Sequence, residues 1–120
     1  MIDSKKSKQV GNSGEDLAWE EYQKRGYTLL ERHYIVYGVG EADLILAKGD
    51  QLIIAEVKTR RTLRYGEPLE SISKLKQHRL KEVARQYLSE TEYNSVRFDC
   101  VSIKIGNHSI TVDITEEAFI

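Results

Sequence analysis

The sequence predicts a single α/β domain in which a mixed five-stranded sheet is flanked by helices. Three observations predict it. Apolar runs on either side of Lys48-Gly49-Asp50-Gln51 read as adjacent strands of a hairpin. Two other stretches carry apolar residues at three-four spacing, the period of a helix packed on one side. The elements then follow the order α-β-β-β-α-β-β. A chain of 120 residues supports one domain with one modest core, and it contains no repeats or low-complexity tracts.

In chain order, residues 1–10 are polar and lysine-bearing without periodicity, so a flexible tail is expected ahead of a domain spanning 11–120. Ser13, with Asp16 three residues on, is a capping-box-like helix start. Leu17, Ala18, Glu21 and Tyr22 continue at helical spacing, and Gly26 is a C-terminal stop. Glu15 falls in the first turn, where a carboxylate suits the helix dipole. It shares a face with Trp19, and if that face meets the hairpin it becomes an additional acidic ligand. Residues 27–32 read as a strand. Residues 33–37 either extend it after a kink or form a loop. His33 is a phosphate binder or proton carrier, or a packed edge residue. Tyr34 and Tyr37 are base-stacking candidates or edge-strand packing. Gly38 and Gly40 lend the backbone freedom before Glu41, but the GxGxxG nucleotide-binding pattern is absent.

The hairpin carries the chemistry. Gly49-Asp50 suits a two-residue turn with glycine first. That turn pairs Lys48 with Gln51, sets Asp43 opposite Glu56 and Glu41 opposite Lys58, and brings all four side chains out on one face. Ile45, Ala47, Leu52 and Ile54 continue that face, so the charges rim a core. Ala42, Leu44, Leu46, Ile53, Ala55 and Val57 form the other face. Three carboxylates across a ladder repel one another unless a cation intervenes. Oxygen ligands of this kind suit Mg²⁺ or Mn²⁺. The alternative is an ion-paired edge in which Lys58 neutralises Glu56 or Glu41.

Residues 59–66 are basic and poor in apolar side chains, which predicts a mobile loop. Arg60, Arg61 and Arg64 are its phosphate contacts, since guanidinium forks match phosphate oxygens. Pro68 is placed to start a helix, carried by Leu69, Ile72, Leu75, Leu80, Val83, Ala84, Tyr87 and Leu88, either unbroken or interrupted near Ser73. His78 is expected to face solvent. Residues 96–100 alternate, and residues 101–105 alternate in the opposite phase, which implies a bulge or a strand buried on both faces. Asp99 is an outer carboxylate of the site or a strand-edge anchor. Asn107-His108 turns the chain into a last strand over 110–114.

The formal net charge of −1 counts against a nucleic-acid binder, but its distribution does not. Residues 56–85 carry 9 basic and 4 acidic side chains, a net +5, beginning beside the carboxylates. A polyanion can be held there while the remaining surface stays acidic. The single cysteine, Cys100, excludes an internal disulfide and a thiolate metal cluster. No apolar leader or membrane-length run occurs, so a cytoplasmic protein with no membrane partner is expected.

Glu41-x-Asp43 followed by Glu56-x-Lys58 resembles the PD-(D/E)xK signature of restriction-endonuclease-like nucleases. Gly14-Glu15-Asp16-Leu17-Ala18, Gly26-Tyr27, Gly40-Glu41-Ala42-Asp43-Leu44-Ile45, Glu56-Val57-Lys58-Thr59-Arg60, Lys76, Ala84, Tyr87-Leu88 and Arg97-Phe98-Asp99 resemble the YraN family. These are small bacterial proteins of unsettled function, similar to archaeal Holliday-junction resolvases. The resemblance runs from about Gly11 to the C-terminus. Ala42 departs from it, being smaller than the family's usual aliphatic residue.

The resemblance implies a restriction-endonuclease-like fold and Mg²⁺- or Mn²⁺-dependent hydrolysis of branched or structured DNA. Asp43 and Glu56 would be metal ligands, completed by the Val57 carbonyl and by Glu15, as a first-helix glutamate does in related resolvases. Lys58 would orient water or stabilise charge. Glu41 would lie outside the ligands or orient Lys58. Lys76 would join Arg60, Arg61 and Arg64 in holding nucleic acid, and a homodimer would offer two sites to two strands. The alternative is a non-cleaving module that keeps the nuclease fold and binds nucleic acid or a repair partner. A third reading is a protein-interaction domain whose charges form ion pairs only.

Overall fold

The computed structural model describes residues 13–61 and 72–120. The tail over 1–10, the proposed phosphate contact Arg64 and the helix-starting Pro68 lie outside them. Gly49 adopts φ +59° between Lys48 and Gln51, the left-handed conformation that a type II′ turn requires at its first central residue. The turn sets the register of β2 (Gly40–Lys48) on β3 (Gln51–Arg61), with Lys48 opposite Gln51 and Leu46 opposite Ile53, as the sequence predicts. The ladder ends at Leu44 opposite Ala55, one step short of the expected Asp43–Glu56 pair. There the Val57 N–H donates to the Asp43 carboxylate (2.8 Å), so a side chain takes up a strand donor. On its other edge β2 pairs with β1 (Thr28–Val36), Glu41 lying opposite Ile35, and no Glu41–Lys58 rung forms.

β4 (Ser95–Ile105) runs parallel to β3, and β5 (Ile110–Phe119) is antiparallel to β4. The sheet order is β1-β2-β3-β4-β5, a mixed five-stranded sheet as expected. The parallel pair is joined through α2 (Lys74–Ser89), and α1 (Ser13–Lys24) precedes β1. Each helix buries one face of the sheet. Leu80, Val83, Ala84 and Tyr87 of α2 pack on Ile45, Leu52, Ile54 and Phe98. Ala18 and Tyr22 of α1 pack on Leu44, Leu46, Ile53, Ala55, Val101 and Ile103. Ala42, expected beside Leu44 and Leu46, belongs instead to the α2 cluster. The alternation therefore breaks at Asp43, where the β2–β3 ladder stops. Among the described residues, no helix is long and apolar enough to cross a membrane.

α1 ends in a Schellman arrangement. The Gly26 N–H donates to the Gln23 carbonyl and the Tyr27 N–H to the Tyr22 carbonyl, with the Tyr22 and Tyr27 rings edge-to-face at 5.1 Å. α2 begins at Lys74, its N-cap Ser73 accepting from the Lys76 N–H, so the break foreseen near Ser73 is a cap; His78 is exposed as expected.

Other expectations need correction. β3 continues through Arg61, pairing Thr59, Arg60 and Arg61 with Ile103, Lys104 and Ile105, so residues 59–61 are strand rather than loop; residues 62–66 of the expected loop lie outside the described residues. The last strand reaches Phe119 rather than residue 114. β4 keeps an unbroken register with β3, while its ladder with β5 shifts between Phe98 and Cys100, so the irregularity lies on the β5 side. Asp99 is 1 % exposed and accepts from Tyr22 Oη and from Arg97 Nε and Nη2, all at 2.8 Å. Arg97 also donates to Tyr27 Oη at 2.9 Å. Phe98, Asp99, Val101, Ser102 and Ile103 bury both faces of the middle of β4, and this polar network occupies positions that a hydrophobic pattern scores as exposed.

Candidate functional site

The site forms where β2 leaves the ladder and both helices approach the sheet. α1 contributes Glu15, which is buried near its N-terminus. It reaches the sheet because Gly14 packs against Thr59 so closely that a Cβ at residue 14 would collide with Thr59 Oγ1. β1 contributes His33, a non-glycine residue at φ +51°, the kink that carries β1 beyond residue 32. β2 contributes Glu41 and Asp43, β3 contributes Glu56, and α2 contributes Lys76.

Asp43 lies between two buried carboxylates. On one side, ligand atoms of Glu15, His33 and Asp43 all fall within 4.8 Å of one another. His33 Nε2 is 3.0 Å from Glu15 Oε1, and His33 Nδ1 is 3.4 Å from Glu41 Oε1. Arg32 stands 3.7 Å from Glu15 but makes its shorter contact, 2.7 Å, with Asp16. On the other side, Asp43 interacts with Glu56, whose Oε2 is ion-paired with Lys76 Nζ.

Burial and the neighbouring Asp43 raise the Glu56 carboxyl from 4.5 to about 7, against the opposing pull of Lys76. Burial, then Asp43, also raises Glu15, while His33 and Arg32 act the other way. Burial works against the charged form of Lys76, but Glu56, Asp43 and Glu41 outweigh it and hold the ammonium above its ordinary value.

A cleft of about 550 Å³ opens between the β1–β2 turn and the start of α2, lined in part by Glu41, Asp43, Glu56, Lys76 and Arg79. Tyr37, 88 % exposed, also lines it. Tyr34 does not, because its ring packs edge-to-face on Tyr87 at 5.1 Å.

The donor set fits a divalent cation. Among the described residues, Glu15 Oε1 and Glu56 Oε1 are buried and find no hydrogen-bond donor. A buried carboxylate oxygen without a donor is costly. Two adjacent carboxylates can satisfy each other only by sharing a proton or a cation. Hard oxygen donors flanking Asp43 suit an ion of the Mg²⁺ or Mn²⁺ class.

The structure thus brings together Glu15, Asp43, Glu56 and Lys76 from the sequence-predicted set. Glu41 sits at their edge, half-exposed, against His33. Lys58 lies two residues beyond Glu56 on β3, and Arg60 and Arg61 end that strand. Asp99 is committed to Tyr22, Arg97 and the Glu117 N–H, so it is the strand anchor of the two readings. Sequence reasoning named His33 as a phosphate binder or proton carrier without placing it beside Glu15, and gave Arg79, which lines the cleft, no role. His33 and Arg79 reach the site through the kink in β1 and the docking of α2, and no local pattern marks either.

The model of the uncharacterised protein family UPF0102 matches residues 14–103. A UPF0102 protein of Dictyoglomus thermophilum is 41 % identical over 109 residues, covering 89 % of this chain and 92 % of its own length. One from Dictyoglomus turgidum is 46 % identical over 99 residues, covering 81 % and 83 %. One from Rhodococcus opacus is 42 % identical over 100 residues, covering 82 % and 84 %.

Proposed function

The chain belongs to the uncharacterised family UPF0102, the YraN family, and we propose that it is a metal-dependent endonuclease of restriction-endonuclease-like fold acting on branched or structured DNA. One observation carries the reading. Asp43 stands between buried Glu15 and Glu56, each with a carboxylate oxygen that finds no hydrogen-bond donor among the described residues, beside a cleft that Lys76 and Arg79 also line. Acidic residues gathered at such a cost, next to basic ones, fit a cation bridging protein and phosphate.

A bound Mg²⁺ or Mn²⁺ supplies Lewis acidity, lowering the pKa of its water and neutralising charge on the pentacovalent phosphate. Asp43 and Glu56 hold the ion, with Glu15 and the Val57 carbonyl completing the set. The Val57 N–H keeps the Asp43 carboxyl in a fixed orientation. Lys58 orients the attacking water or balances charge on the phosphoryl oxygens. Glu41 steadies the site from outside the ligands. Lys76 and Arg79 hold the phosphates entering the cleft, and Arg60, Arg61 and Arg64 extend the path along the backbone. A symmetric dimer would present two such clefts to two strands of a junction.

The ion pair of Lys76 with Glu56 favours a second reading, in which the acidic cluster is already neutralised and the protein binds structured nucleic acid without cutting. Incubation of a labelled four-way junction with Mg²⁺ or Mn²⁺, beside duplex and single-strand controls, separates the two. Metal-dependent products are expected from the wild type. None are expected from Asp43→Asn or Glu56→Gln, which should bind the junction as well as the wild type or better. A junction-specific shift without products would establish the second reading. Unchanged turnover in either variant would refute the assignment of the site.

A further inference from the structure

The geometry points to His33 as a nitrogen ligand to the cation, with Glu15 and Asp43, so that the site takes a first-row transition cation such as Mn²⁺ in preference to Mg²⁺. This rests on the metal-dependent reading above and deepens it by naming the class of ion. His33 Nε2 and Glu15 Oε1 are 3.0 Å apart, an ion pair only when the ring is protonated, and among the described residues Glu15 Oε1 has no hydrogen-bond partner. Neighbouring ligands of an octahedral ion with bonds of about 2.1 Å are separated by about 3.0 Å, the edge of the octahedron. The pair is therefore spaced as two ligands of one ion, and Glu15, only 7 % exposed, gives its oxygen few alternatives.

The other ring nitrogen supports the same assignment. His33 Nδ1 faces Glu41 Oε1 at 3.4 Å. A proton on Nδ1 directed at Glu41 leaves the Nε2 lone pair towards Glu15, the carboxylate–histidine–metal relay that orients metal-binding imidazoles. Glu41 thereby acts as a positioning residue. Imidazole is a favourable ligand for Mn²⁺ and later first-row ions, whereas Mg²⁺ prefers an all-oxygen shell. Arg32 makes its short contact, 2.7 Å, with Asp16 and stands farther, 3.7 Å, from Glu15 Oε1.

The test is pulsed electron paramagnetic resonance of Mn²⁺ bound to the full chain without nucleic acid, with affinities for Mn²⁺ and Mg²⁺ measured in parallel. A ¹⁴N coupling is expected from the wild type, and it should convert to ¹⁵N on selective histidine labelling, with no substitution needed. His33→Asn suits the left-handed backbone. It should abolish the coupling and weaken Mn²⁺ by roughly tenfold or more, while Mg²⁺ changes far less. Mn²⁺ bound without nitrogen coupling, or a coupling that survives in His33→Asn, would overturn the inference and leave the metal-dependent reading standing. No binding of Mn²⁺ or Mg²⁺ by the wild type would overturn both.

Discussion

Glu56 makes the metal-free protein less stable as pH rises, and Glu56→Gln should remove that dependence. The carboxyl titrates at about 7 in the folded protein instead of 4.5, chiefly through burial and then through Asp43. Between those values the folded state holds a proton that the unfolded chain has released, so stability falls with pH. At about 1.4 kcal/mol per pH unit of displacement, the loss is on the order of 3 kcal/mol. Glutamine cannot ionise, so the stability difference between wild type and variant isolates Glu56 from every group common to both. Urea unfolding in the presence of a chelator, followed by the fluorescence of Trp19, the only tryptophan, measures it. Relative to the variant, the wild type should hold steady below about pH 4.5, lose about 3 kcal/mol up to about pH 7 and then level off. Parallel curves for the two proteins, or a difference of opposite sign, would show that Glu56 is not a desolvated carboxyl beside a second carboxylate.

Two further expectations concern the frame that holds the site. Asp99→Asn takes from Arg97 its buried carboxylate partner, leaving it the exposed Glu116 at 3.3 Å, and should cost about 3–5 kcal/mol in urea unfolding; a loss below about 1 kcal/mol would mean that the network contributes no more than an ordinary hydrogen bond. Alanine for glycine inside an exposed helix gains up to about 1 kcal/mol, but at residue 14 the collision with Thr59 should reverse the sign, to a loss of about 1–3 kcal/mol. The same variant should weaken Mn²⁺ binding, because Glu15 is the next residue; a stabilised Gly14→Ala protein with unchanged Mn²⁺ affinity would refute the close approach of α1 to β3.

The hairpin register was legible in the sequence because it is local. A glycine at the first turn position and period-two side chains specify which residues oppose one another, and Lys48 to Leu44 pair with Gln51 to Ala55 accordingly. The element order and the Gly26 stop were legible for the same reason, each resting on backbone chemistry within a few residues, whereas a break near Ser73 was only one of two readings and its cap came from the structure. Asp43 and Glu56 announced themselves as charges inside apolar runs. Tertiary structure decided the rest. The ladder stops before Asp43 because that carboxylate accepts from the Val57 N–H, a competition that periodicity does not encode. β4 misled a hydrophobic reading because Asp99 is buried and Arg97 half-buried against partners 77 and 70 residues away, Tyr22 and Tyr27. His33 and Lys76 reach the site from opposite sides of the sheet, one through a left-handed kink and the other through the packing of α2. Local propensity and alternation specify which face a residue occupies, while the cost of burying charge is resolved only where distant segments meet, and there the partners of Glu15 and Glu56 were chosen.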